Sequence, residues 1–311
     1  MKAMFPFDTG STQAAAIGEL FNFIFVIAIA VFAIVTLAFL WIVFRFRHRN
    51  GAEQPNQTEG NLRLEVTWTI VPLLILIFVA VQTVRAMEVV DPTVSATDEP
   101  DLIITGHQWW WDVEYPKANV VTANEIHVPA GQRVLLQIES ADVIHSFWLP
   151  QLARKVDMIP GRTRRLWLEV DEPGIYSGSC AEFCGAQHAW MRLRLVAHSP
   201  AEFDNWLTSQ TVLSSIPVLT EAATGAQLFA ARTCSNCHAI RGTNATARIG
   251  PDLTHVALRS TLASGLLENT PENLAAWLKN PHTIKPGTLM PNLYLTDEEI
   301  TQLVTYLETL Q

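Results

Sequence analysis

The chain has 311 residues, 49% of them hydrophobic and only 16% charged, where soluble domains carry about 25% charged residues; the deficit places part of the chain in lipid. Its net charge of −9 argues against a nucleic-acid partner and suits, weakly, the docking of a basic protein. The four cysteines form two close pairs, Cys180/Cys184 and Cys234/Cys237, which excludes the spread-out spacing of a disulfide scaffold and points to metal or cofactor attachment.

The length allows two domains or more. Leu20 to Phe44 is a run of 25 residues without a charge. At about 1.5 Å per residue it crosses a hydrocarbon core of about 30 Å. It is too long for the apolar region of a signal peptide and ends in Trp41–Phe44 rather than in small residues. Val66 to Val84 is a second uncharged run, bounded by Glu65 and Arg85, with Pro72 near its start, where a helix tolerates proline. Arg45, Arg47, Arg49 and Arg63 lie between the runs. The positive-inside rule places that loop in the cytoplasm, so both termini and everything after about residue 90 are expected outside. Glu65 then sits at the inner mouth of the second span, where a carboxylate also complements the helix dipole. Neither run contains histidine.

Residues 91–101 read as a linker. Beyond them the apolar period becomes two. Leu166, Leu168 and Val170 share one face; Glu125–Val128 and Arg133–Ile138 read as strands around a tight connection. Short strands over about 100 residues imply a small antiparallel sandwich or barrel. Near its end lies Cys180-Ala-Glu-Phe-Cys184-Gly-Ala-Gln-His188-Ala-Trp-Met191. The alternation through Met191, Leu193 and Leu195 turns Met191 inward. Structural zinc uses Cys and His and not thioether, so Met191 favours copper. One further imidazole is needed, from His107, His127, His145 or His198; His145, in the apolar stretch Asp142–Pro150, suits a strand facing the loop. Two thiolates on one loop with two imidazoles can bridge two copper ions and share one electron between them. Such a centre has no open position and passes electrons only.

Residues 210–220 break the pattern, after a capping box at Ser199-Pro-Ala-Glu202 that opens a short helix. Cys234-Ser-Asn-Cys237-His238 is the attachment signal for c-type haem, with His238 as iron ligand. Met290 is the only methionine after Met191 and is the expected sixth ligand by elimination, with His255 and His282 as alternatives; Met/His ligation raises the haem potential. Helices are expected from Thr270 and from the capping box Thr296–Glu299, with Ile300, Leu303, Val304 and Leu307 on one face.

In this order, two spans, a copper sandwich and a haem domain, the whole chain resembles cytochrome c oxidase subunit II in the form with a fused C-terminal cytochrome c, as in caa-type haem-copper oxidases. Gly106-His-Gln-Trp109-Trp110-Trp-Asp-Val-Glu-Tyr115, Asp142-Val-Ile-His145-Ser and Ile159-Pro-Gly-Arg162 are similar to family motifs, as is the loop from Cys180 to Met191. The resemblance implies a multidomain chain. Residues 1–90 would hold an N-terminal tail and a transmembrane helical hairpin (about 20–44 and 66–88), 100–200 a cupredoxin domain, 201–219 a linker and 220–311 an all-α cytochrome c domain. It implies two coppers held by the side chains of His145, Cys180, Cys184, His188 and Met191 and by the Glu182 carbonyl. The Glu182 carboxylate is implied at a magnesium site shared with subunit I. Trp109 matches the family's electron-accepting tryptophan and Glu65 a carboxylate at the entrance of a proton pathway. Trp110 stands where the family often has tyrosine.

The implied role is a membrane subunit that passes electrons from haem c to the copper pair and on to subunit I, where dioxygen is reduced with proton pumping. Its implied partners are subunit I, the other oxidase subunits and an upstream donor, cytochrome c or a quinol-oxidising complex. Its implied place is a bacterial inner membrane. The fused cytochrome raises the effective donor concentration at the copper site. The copper ligands count against quinol as direct donor. Two other readings compete. A copper-containing nitric oxide reductase would use a similar subunit. A membrane-anchored copper-delivery protein would need exchangeable ligands and no haem, so Cys234–His238 opposes it.

Overall fold

The computed structural model describes residues 8–47, 59–95, 97–213 and 221–311. Arg49, in the loop read as cytoplasmic, and Pro217, in the linker, lie outside the described residues. The chain forms two compact units: Ala15–Pro92, and Thr93–Gln311 together with the chain before Ala15.

The first unit is helical. Its helices are α1 (Thr12–Arg45) and α2 (Leu62–Val90). Over their uncharged runs both are apolar around the whole circumference yet exposed, with Phe32 73%, Leu37 67% and Leu76 65% exposed; such a surface calls for lipid. Phe23 and Phe78 meet edge to face between them, 5.3 Å apart. A reciprocal cap starts α2: the Asn61 side chain accepts from the Arg63 and Leu64 amides, and the Glu65 carboxylate accepts from the Asn61 amide at 3.2 Å.

The second unit begins with ten strands, in chain order β1 (Leu102–His107), β2 (Trp110–Tyr115), β3 (Val120–Ala123), β4 (Glu125–Pro129), β5 (Arg133–Ser140), β6 (His145–Trp148), β7 (Val156–Met158), β8 (Arg164–Glu169), β9 (Gly174–Cys180) and β10 (Arg192–His198). They make two five-stranded sheets, β3-β2-β1-β5-β8 and β4-β10-β9-β6-β7. The sandwich expected from the alternation is present, and each sheet contains one parallel pair, β1 with β5 and β4 with β10. The tight connection between β4 and β5 carries the chain from one sheet to the other instead of closing a hairpin. It is pinned from both sides: Ala130 N donates to His198 O and Gly131 N to Val170 O. Alternate side chains fill the space between the sheets, among them Trp111, Leu136, Ile138, Phe147 and Leu168. Burial of each such large apolar side chain stabilises the fold by about 1.5–3 kcal/mol.

Helix α3 (Pro200–Ser209) opens on the Ser199/Glu202 capping box. The remaining helices are α4 (Glu221–Ala231), α5 (Pro271–Lys279), α6 (Pro281–Ile284) and α7 (Asp297–Leu307), with a two-stranded ribbon of β11 (Thr261–Leu262) and β12 (Leu267–Glu268). Ile300, Leu303, Val304 and Leu307 of α7 are buried. α4 crosses α7 at Gly225, where a Cβ would stand 2.1 Å from Gln302 O; any side chain there would force the helices apart.

Candidate metal and haem centres

The hairpin of β9 and β10 presents the cysteine loop. Arg192 pairs with Ser179, and Cys180 N donates to Met191 O at 2.9 Å, so Cys180 and Met191 close the base of the loop. A single 3-10 turn, His188–Trp190, folds the intervening chain back over it. β6 lies beside β9 with Phe147 opposite Cys180, and this register delivers His145, two residues earlier on the same face, to the loop.

The side chains converge. Cys180 Sγ lies 3.9 Å from His145 Nδ1, and Cys184 Sγ lies 3.7 Å from His188 Nδ1 and 3.8 Å from Met191 Sδ. Glu182 O is 3.2 Å from Cys180 Sγ. One ligand atom each from His145, Cys180 and Cys184 falls within 4.8 Å of the others. Ligands at about 2.0–2.3 Å from a shared metal stand about 3.5 Å apart in a tetrahedron, so the spacing fits metal binding. Disulfide pairing is absent, both thiols being free and buried. The mutual interaction of the two thiols lowers the pKa of Cys180 and, together with burial, raises that of Cys184. Five soft donors with a thioether, all but His188 buried, suit copper rather than zinc.

His145 is fixed from behind. Its Nε2 meets Asp142 Oδ1 at 2.8 Å, which leaves Nδ1 for a metal. Burial alone would lower its pKa; the Cys180 and Asp142 hydrogen bonds outweigh that and raise it. Asp142 also accepts from Gln108 N at 2.7 Å. Gln108 Nε2 and the Trp109 indole both donate to Cys184 O, at 2.8 and 2.9 Å. The other histidines considered for this centre lie elsewhere. His107 stacks on Trp110, and His127 bonds His198 at 2.8 Å while stacking on Trp206.

The Cys234–His238 turn borders an open cavity of about 220 Å³ whose wall includes Cys237, His238, Leu253, Trp277 and Met290. His238 Nδ1 meets Pro251 O at 2.7 Å, and burial lowers its pKa, so Nε2 is left as a free lone pair. Gly250 is required beside it: a Cβ there would lie 2.6 Å from the ring. Two free thiols, a fixed imidazole and a thioether on the wall of the same, mostly apolar cavity fit a covalently held haem. His255 instead bonds Gln210 O at 2.9 Å, and His282 is exposed.

The same cavity is lined on its far side by Gln108, Trp109 and Trp110 of the sandwich. Trp109 thus takes part in both places: its indole bonds the cysteine loop, and the residue borders the cavity. Polar contacts hold the cytochrome part there. Arg248 pairs with Asp112 and Glu114, each at 2.6 Å, and Glu125 accepts from Ser260 and from the Thr261 hydroxyl. Burial pushes Asp112 up to about 6 despite Arg248. The Glu182 carboxylate is exposed, and Glu65 belongs to the helical unit, in the cap of α2. Sequence reasoning passed over Asp142, Gln108, Gly250 and Lys285. The first could have been read from its position three residues before His145; Lys285, in a Pro- and Thr-rich stretch, resembles any surface lysine.

Three family models match the chain: cytochrome c oxidase subunit II, transmembrane domain, over residues 2–85; its periplasmic domain over 118–198; and cytochrome c over 222–311. Cytochrome c oxidase subunit 2 of Alkalihalophilus pseudofirmus is 36% identical, with 92% of this chain and 85% of the relative covered. The Bacillus subtilis protein of the same description is 34% identical, with 88% and 82% covered, and that of Bacillus sp. PS3 33% identical, with 86% and 80% covered.

Proposed function

The chain belongs to the cytochrome c oxidase subunit II family, as a two-span membrane protein with a cytochrome c domain at its C-terminal end and a part in taking electrons into the oxidase, and from that premise we propose how it works. Cys234, Cys237 and His238 would hold a haem c, with Met290 as its further ligand. His145, Cys180, Cys184, His188, Met191 and the Glu182 carbonyl would hold two coppers, with Trp109 on the path between the two centres. Electrons taken in this way would serve subunit I, where dioxygen is reduced to water with proton translocation. The observation that supports this best is the meeting of all five side chains and one carbonyl on a single hairpin and its neighbouring strand.

When bound, the haem and the copper pair each take up and release one electron at a time. The residues of this chain supply the rest. Burial keeps water from both thiols, and the hairpin base between Cys180 and Met191 holds the loop rigid, so that little moves on reduction. Asp142 orients the His145 ring, and Pro251 orients the His238 ring. The Trp109 indole is tied to the carbonyl of Cys184, and the residue borders the cavity, which supports its part in the electron path. Glu182, with its side chain exposed, is the residue of this chain for a magnesium shared with subunit I. Glu65, at the start of α2, is its residue at a proton pathway. The sandwich and cytochrome parts face the outside of a bacterial inner membrane. The fused cytochrome stands in for a soluble cytochrome c as direct docking partner at Trp109, and upstream cytochrome c or a quinol-oxidising complex remains the electron source.

Optical and electron paramagnetic resonance spectra of the purified oxidase test this reading. A c-type haem band with one electron shared over two coppers supports it; zinc alone, or one mononuclear copper, overturns it. Removal of residues 215–311 should lower turnover with dilute reduced soluble cytochrome; unchanged turnover would refute the role given to the fused domain.

A further inference from the structure

Lys285 follows α6 in the cytochrome part, and its side chain is only 4% exposed. Its Nζ donates to Trp109 O at 3.0 Å and to Ser264 Oγ at 3.1 Å, and Ser264 Oγ itself donates to Trp109 O at 2.8 Å. Trp109 is therefore held from both ends: the indole by the copper loop, the carbonyl by a lysine and a serine of the cytochrome part. An ammonium has three N–H donors, and two are spent here. Among the described residues no carboxylate pairs with it; its partners are the Trp109 carbonyl and the Ser264 hydroxyl. Lys285 also stands on the wall of the haem cavity.

A buried cation without a counter-charge is costly. Burial pushes this one down to about 8. An apolar residue of similar volume would pack in its place without that cost. A neutral donor would hold the carbonyl equally well. What the lysine adds is positive charge beside the cavity, where charge changes by one unit each time the haem is reduced or oxidised. Positive charge on that wall favours the form with the extra electron.

We propose that Lys285 is a positioning residue of the electron path: with Ser264 it clamps the Trp109 carbonyl to the cytochrome part, and its charge holds the haem toward its reduced form. This rests on the reading of the two centres given above. Neither the copper ligands nor the haem ligands include it.

The test uses the purified whole oxidase in three variants, Lys285→Met, Lys285→Arg and Ser264→Ala. Two quantities are read: the midpoint potential of the haem, and the rate at which one electron leaves ferrous haem and arrives on the oxidised copper centre. K285M should shift the haem equilibrium about tenfold toward the oxidised form, which for one electron is about 59 mV. K285R, which keeps the charge, should stay within about threefold of the parent. S264A should leave the potential unchanged and slow the transfer. A K285M potential equal to the parent's, a K285R shift as large as that of K285M, or parental transfer in S264A each overturns the proposal. If K285M fails to take up haem, K285R and S264A decide by the same criteria. The parent spectrum, recorded first, separates a failure of this proposal from a failure to find haem and a copper pair at all.

Discussion

Substitution of Asp142 tests whether His145 is held in place for the copper binding proposed for it. Asp142 Oδ1 accepts from His145 Nε2 at 2.8 Å and from Val143 N at 2.6 Å, and its Oδ2 accepts from Gln108 N at 2.7 Å. Burial alone would raise its pKa; these bonds outweigh it and bring the group below its ordinary value. Asparagine at this position offers one acceptor and one donor group. In either orientation its NH₂ faces an N–H, so at least one bond is replaced by a donor–donor contact. Leaving a part-buried donor without a partner costs about 1–3 kcal/mol. Loss of the partner behind a metal-bound histidine lowers metal affinity about 10–100-fold, or about 1.4–2.7 kcal/mol, and the two estimates agree. The assay follows the copper signal of the D142N oxidase against a graded copper chelator. The expected result is a copper midpoint 10–100-fold weaker with the haem band intact. An unchanged midpoint would show that Asp142 does not orient His145; equal loss of haem would show general misfolding instead.

Gly250→Ala should reduce haem incorporation, read as haem per protein, because the added methyl lies against the His238 ring; full incorporation would mean the ring moves freely. Met290→Leu should lower the haem potential while the haem stays covalently attached, and a parental potential would remove Met290 as the sixth ligand. Asp112 carries a pH prediction. Its pKa rises from 3.8 to about 6 on folding, so between those values the folded state binds the extra proton. Its contribution to stability is present below about pH 4, is lost as pH rises through about 6, and is flat above. Measured as thermal stability against pH, the difference between D112N and the parent should grow from pH 4 to 6 by at most about 2–3 kcal/mol; a difference that does not vary with pH would contradict the burial of this group.

The sequence shows some of this directly, because certain signals are local. The two uncharged runs, the capping boxes at Ser199 and Thr296, and the cysteine loop each lie within a short stretch, and each has one physical reading. His145 is different. Four histidines compete for the role, and it is the pairing of β6 with β9, across thirty-odd residues of chain, that brings His145 alone to the thiols. The strands β4 and β5 are close in sequence and part into opposite sheets, β4 pairing with β10, and β5 with β1 and β8. No spacing rule foretells the contacts of Arg248, Ser260, Ser264 and Lys285 with residues more than a hundred positions away or in another fold. Such residues are individually ordinary, and only the docked arrangement gives them a task.

Strand β2 shows why docking and electron transfer are one problem in this protein. Its odd positions, Trp111, Val113 and Tyr115, are buried in the sandwich at 3% exposure or less. Its even positions face the other way: Trp110 lines the haem cavity, and Asp112 and Glu114 hold Arg248. Trp109, one residue before the strand, bonds the copper loop through its indole and the cytochrome part through its carbonyl. Electron transfer requires a fixed separation, and loops held by polar contacts alone would drift. A strand whose alternate side chains are locked in a close-packed core does not. The cytochrome part therefore inherits its position from the core of the sandwich, through a strand that a shift of one residue would turn inside out. The contacts on the even face are ionic and hydrogen-bonded, as interfaces between parts of one chain often are, so the rigidity comes from the odd face and the polar face only selects the docked pose.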